Sequence, residues 1–195
     1  MSKILTWIKT WKANSADNYK GLFENLSDYW SGYGGLAAIL ASPILHIAVA
    51  LNLFFYSVWS QEGWWDMVIS VMPNLLGFSL GGYAILLGFG SESFHKFLAT
   101  KDKNEEQSAF NIINANFVHF ILVQALSLII AALFSSKFLT SESMISTPLW
   151  FIGHLFFIYA LLLLISTTLS VFASTIWYEI HSRNESEKNQ TNTKK

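Results

Sequence analysis

Met67–Gly90 reads MVISVMPNLLGFSLGGYAILLGFG, without one charged residue. As a helix rising about 1.5 Å per residue it is roughly 35 Å long, enough to cross a hydrocarbon core of about 30 Å. On such a helix Ser70, Asn74, Gly77, Gly81, Ala84 and Gly88 follow one another at alternating spacings of four and three, so they share one face. That face is nearly bare of side chain. Helices in lipid gain nothing by escaping water, so close backbone approach at small residues supplies much of their packing, and Gly77 and Gly81 have the GxxxG spacing. The stretch predicts a membrane span whose bare face packs against another helix, in the same chain or in a second copy.

The rest of the chain has the composition of a protein built around such spans. Of its 195 residues 52% are hydrophobic and 13% charged, far from the averages of soluble domains. The fold class this implies is all-α, a polytopic integral membrane protein. The net charge of −1 hides a segregation, because the charged residues lie almost wholly outside the apolar stretches. Neither sign dominates, and no direct nucleic-acid partner is expected. Cysteine is absent, which excludes a disulfide framework, a thiolate nucleophile and a Cys-based metal site. Lys3, Lys9 and Lys12 precede no uninterrupted apolar core, so no cleaved signal peptide is expected.

Four transmembrane helices are expected, at about 36–59, 67–90, 113–134 and 148–177, within a domain over 36–177. Residues 1–35 read as a cytoplasmic amphipathic segment. In KILTWIKTWK, Ile4, Trp7, Ile8 and Trp11 recur at helical spacing among lysines, as in a helix lying at the headgroups of an anionic lipid bilayer. The same periodicity suits a helix packed on the protein itself. Tyr19–Tyr33 repeats the pattern as a second segment and meets Gly32, Gly34 and Gly35, the elbow into the bilayer.

The first span carries its own seam of small residues, Gly34, Ala38, Ala41, Leu45, Ala48 and Asn52, at the same spacing as the seam of the second. The two seams are expected to meet, and the short link Ser60–Asp66 makes the first two spans antiparallel neighbours. Pro43 is expected to kink the first span. The loop 91–112 mixes charges of both signs, 137–147 is a polar loop, and the tail 178–195 lacks apolar periodicity and should be disordered. In the fourth span Ser166, Ser170 and Ser174 recur every four residues. Hydroxyls bonding back onto their own helix are the plainer reading of that ladder than a conduction path.

Lysine asymmetry sets the orientation. Lys3, Lys9, Lys12 and Lys20, the lysines of loop 91–112 and the basic residues of the tail then face the cytoplasm, and Lys137 alone faces out. Both termini are expected in the cytoplasm of a cell inner membrane. Counting inward from the outer ends at about 1.5 Å per residue, Asn52, Asn74 and His154 each lie roughly 9–10 Å deep. Amides and imidazoles are costly to leave bare in lipid. The three are expected to meet in the bundle or line a wet cavity, unless each bonds locally.

Enzymatic constellations are missing: there is no P-loop, HExxH or GxSxG pattern. His46, His95, His119, His154 and His181 never stand at the i, i+4 spacing that puts two imidazoles on one metal. Neither catalysis, a metal nor another cofactor is expected. No Asp, Glu, Lys or Arg falls within a span, which disfavours ion-coupled transport. Two classes remain. One is a non-catalytic, homo-oligomeric scaffold or sensor that couples an event in the envelope to a cytoplasmic protein partner, and the other is a small passive channel formed by several copies.

The run PNLLGFSLGGYAILLGFG, Pro73–Gly90, resembles small bacterial inner-membrane proteins. In size and four-span plan the chain resembles the membrane subunit of Kiwa-type anti-phage defence systems. That resemblance implies an oligomer that senses an envelope event and signals to a cytoplasmic DNA-binding partner in antiviral defence. It assigns no role to any single residue.

Overall fold

The computed structural model describes residues 2–101, 107–136 and 146–193, and these are all-α, with no strand among them. The two amphipathic segments join into one helix, α1, Ser2–Tyr33. It ends at Gly34 and Gly35, whose φ angles of 95° and 66° lie in the left-handed region that a Cβ disfavours. The side chains of Ile4, Trp7, Ile8 and Trp11 lie outside the described residues.

Beyond the elbow come α2, Gly35–Ala41, and α3, Pro43–Phe54. The ring of Pro43 keeps the preceding residue out of the helical region, and Ser42 is extended at φ −68° and ψ 122°. The expected kink is thus a full interruption, with a bend of 57° between the two helices. One further turn, α4, Tyr56–Trp59, completes the segment.

Among the described residues three helices are long and apolar enough to cross a membrane: α5, Trp64–Gly88; α7, Ala109–Ser135; and α8, which begins at Ser146. The bent pair of α2 and α3 makes a fourth when taken as one span. Between α5 and α7 lies α6, Glu92–Ala99, capped by Ser91, whose hydroxyl accepts from the Phe94 N–H at 3.3 Å. Residues 102–106 and most of the polar loop expected at 137–147 lie outside the described residues.

The tail expected to be disordered is instead helical, because α8 continues to Thr193. The reason is a partner in α6 that the tail's own sequence does not announce. Tyr178 packs edge-on to Phe94 (ring centroids 5.1 Å apart), and His181 stacks on Phe97 (5.0 Å). His181 Nε2 also meets the Ser93 hydroxyl at 3.2 Å. A helix already nucleated in its apolar half propagates at little cost.

In the bundle α7 is central, with α5 and α8 on it and α1 alongside, while α3 packs on α8. The two small-residue seams therefore do not meet, and the short link does not make α3 and α5 the principal pair. Instead α5 buries Trp64, Val68, Met72 and Ser79. Trp64 fits because residue 153 is glycine: a Cβ there would stand 2.7 Å from Trp64 Cη2 and 3.0 Å from Ile130 Cγ2. Outside the core, large apolar side chains are bare, among them Phe54 (86% exposed), Phe78 (76%) and Ile85 (73%).

Candidate functional site

Asn52 and His154 are buried, with 0% and 1% exposure, and join α3 to α8. His154 Nδ1 lies 2.6 Å from Asn52 Oδ1, and Asn52 Nδ2 donates to the Phe151 carbonyl at 3.0 Å. The second bond decides the roles in the first. A carbonyl only accepts, so the amide nitrogen faces Phe151 and the amide oxygen faces His154; that oxygen only accepts, so Nδ1 carries the proton. The neutral imidazole then presents Nε2 as a bare lone pair. Nε2 is buried, and among the described residues no hydrogen-bond partner reaches it. Trp59 Nε1 donates to the Asn52 carbonyl at 2.7 Å and holds the end of α3 in place.

His154 also lines a groove of about 530 Å³. It exists because α3 leans on α8 and α5 on α7, so the two helices diverge from their short link and leave α8 as a floor. Leu51 and Val58 wall it from α3, Met67 and Val71 from α5, and Leu161 and Leu162 lie along the floor. Among the described residues that line it, His154 is the one polar side chain.

A second buried histidine, His119 of α7, is held by two phenols. Its Nδ1 lies 2.7 Å from the Tyr29 hydroxyl and its Nε2 3.0 Å from that of Tyr159. Tyr33 stacks on the imidazole with ring centroids 3.9 Å apart. One phenol donates and the other accepts, whichever tautomer is present. Burial, and then the neighbouring Tyr33, push the Tyr29 hydroxyl up to about 12, so it stays protonated at neutral pH. This cluster ties α1 to the bundle, and only the i, i+4 pair of tyrosines at the end of α1 hints at it in the sequence. Two further polar contacts join α5 to α7: Gln124 Nε2 donates to Ser79 Oγ at 3.0 Å, and the Tyr83 hydroxyl donates to Asn114 Oδ1.

Asn74 does not join Asn52 and His154. With Ser70, Gly77, Gly81, Ala84 and Gly88 it is exposed on the outer face of α5. A Cβ at Gly77, Gly81 or Gly88 would meet no atom within 4 Å. Ser70 donates to its own helix, to the Met67 carbonyl at 2.8 Å, and among the described residues no partner reaches the Asn74 amide. Equal depth says nothing of azimuth: at about 100° per residue, Asn74 and Gly77 lie opposite the face that carries Val68 and Met72.

Among the described residues no three His, Asp or Glu side chains converge as metal donors. No family model, curated protein or solved structure matches the chain.

Proposed function

We propose that this chain is a polytopic protein of the cell inner membrane that self-associates through the bare face of α5 and acts as a non-catalytic scaffold or sensor. The observation that carries this reading is that face, six small or polar residues in one exposed row with open space at its glycines. A second copy about a two-fold axis would lay the row against itself. The backbones would then approach at Gly77 and Gly81, and the two Asn74 amides, each both donor and acceptor, would bond across the axis. Lipid covers the bare Phe54, Phe78 and Ile85, which in water would be an aggregation liability.

In this reading α2 with α3, α5, α7 and α8 are the four spans, and the positive-inside bias puts both termini in the cytoplasm. The cytoplasmic surface is then α1, α6 and the extension of α8, and there the soluble protein partner docks. Signalling of an envelope event to that partner, as in anti-phage defence, is the role that the resemblance to Kiwa-type membrane subunits suggests.

The test is oligomer mass by light scattering of the full chain in mild detergent. Gly81→Leu should reduce it to the monomer, whereas Leu87→Phe, exposed but off the row, should leave it unchanged. Equal masses for wild type and both variants would overturn the reading. For orientation, the absence of native cysteine allows single-cysteine labelling: Ser60→Cys should react with an impermeant maleimide on intact cells, and Ser108→Cys only after permeabilisation.

A further inference from the structure

We propose that α1 lies along the membrane surface with the row Tyr19, Leu22, Phe23, Leu26 and Trp30 sunk among the lipids. This placement rests on α7 being a span, part of the proposed function, and not on self-association. At about 100° per residue the five share an arc of about 100°, the width of the apolar stripe of an amphipathic helix. Asp17, Glu24 and Asp28 lie opposite. Yet the row is 41% to 66% exposed, because α1 meets the bundle with its last turns. Gln107 Nε2 donates to the Ser31 carbonyl at 3.3 Å, and a Cβ on Gly32 would stand 3.3 Å from Asn111 Nδ2 and 3.6 Å from Ala115 Cβ. Among the described residues the protein does not cover its own row.

The direction of the row decides what covers it. Gly32 stands against Asn111 and Ala115, at the mouth of the third span, and His119 lies one to two turns further in. Tyr33 stacks on His119 with ring centroids 3.9 Å apart and the Tyr29 hydroxyl lies 2.7 Å from its Nδ1, so both tyrosines reach from the end of α1 towards the middle of the bilayer. Tyr33 follows Leu26 by about two turns and Leu22 by about three, and shares their direction to within about 20°. A helix whose Tyr33 points into the bilayer points Leu22 and Leu26 the same way. The row also runs on into the surface of the first span. The Trp30 indole folds over the elbow, its Nε1 3.2 Å from where a Cβ of Gly35 would stand, and beyond it Leu36 and Leu40 are exposed. Charge agrees, since residues 2–16 carry Lys3, Lys9 and Lys12 and no acidic residue, which suits an anionic leaflet. Aromatic side chains such as Tyr19 and Trp30 suit the headgroup level.

The absence of native cysteine allows a nitroxide to be attached at one position at a time over residues 17–30 of the full chain, in nanodiscs of phosphatidylethanolamine and phosphatidylglycerol. Oxygen, which dissolves in lipid, and a water-soluble nickel chelate then report what touches each position. Collisions with oxygen should exceed those with nickel at the five positions of the row, with the reverse at Asp17, Glu24 and Asp28, so that their ratio oscillates with the helical period of about 3.6 residues. Leu22→Glu combined with Leu26→Glu should raise nickel collisions at residue 19 at least threefold, whereas Asn25→Glu, the same charge off the row, should not. Nickel all round the helix would overturn the proposal. So would low collisions with both probes along the row, the sign of a second copy or another protein seated there. A label at Leu126, exposed near the middle of α7, tells the failures apart. Oxygen at Leu126 with nickel along the row sinks this proposal alone, and nickel at both sinks the membrane reading with it.

Discussion

On α3, Ala48 and Asn52 are buried against α8, and both ends of the asparagine amide are bonded. On α5, at the same spacing of four and three, Gly77, Gly81 and Asn74 look outward with nothing among the described residues against them. The difference teaches that spacing specifies a face, and that the opposite face of the same helix competes for the core. On α5 the competitor was strong. Burying Trp64, Val68 and Met72, with Trp64 against Phe134 at a centroid distance of 5.7 Å, makes far more dispersion contact than burying glycines. Opposite Asn52, α8 offers a carbonyl and an imidazole.

The sharpest way to break the comparison is to put one bulky residue on a packed glycine and on an unpacked one. Gly153→Leu drives a side chain into Trp64 and Ile130 and should cost about 3 kcal/mol, the upper end of ordinary overpacking. Gly81→Leu should leave the unfolding of the monomer in mild detergent within about 0.5 kcal/mol of wild type, even where it is expected to dissociate the proposed oligomer. A large loss for Gly81→Leu under monomeric conditions would mean that the row is packed inside one chain.

The asparagines give the next contrast. Asn52→Leu strands the His154 Nδ1 proton, while the Phe151 carbonyl keeps its bond within α8, and should cost about 2 kcal/mol. Asn74→Leu, measured on the monomer, should cost less than about 0.5 kcal/mol. The smallest effect is the coupling itself. A double-mutant cycle on Asn52→Leu and His154→Leu should show about 1 kcal/mol, between the average of about 0.6 and the maximum of about 1.7 for polar contacts in membranes. The cycle on Asn52→Leu and Asn74→Leu should be additive within about 0.5 kcal/mol. Coupling between the two asparagines would mean that Asn74 turns inward.

Much of the helical layout was legible in the residues. The apolar runs sit where α5, α7 and the first half of α8 are found, because charges cluster outside them and about 20 apolar residues are needed per crossing. Proline and glycine marked the breaks at Ser42 and Gly34 through backbone sterics alone. Counting depth brought out Asn52 and His154 but misplaced Asn74, since rise along an axis is a local property and the direction a helix turns is not. Nothing in residues 178–193 announced a helix, because the groups that hold its start, Phe94 and Phe97, belong to α6.

The sequence by itself determined an all-α chain, where its apolar helical runs lie, and which residues share a face, since helix geometry and the sterics of proline and glycine act within a few residues. Only the tertiary structure decided which faces are used. It paired Asn52 with His154, brought Tyr29, Tyr33 and Tyr159 around His119, and opened a groove between two helices joined by a short link. These depend on how the helices divide a limited interior among competing faces. That division is a property of the whole bundle, and no single helix encodes it.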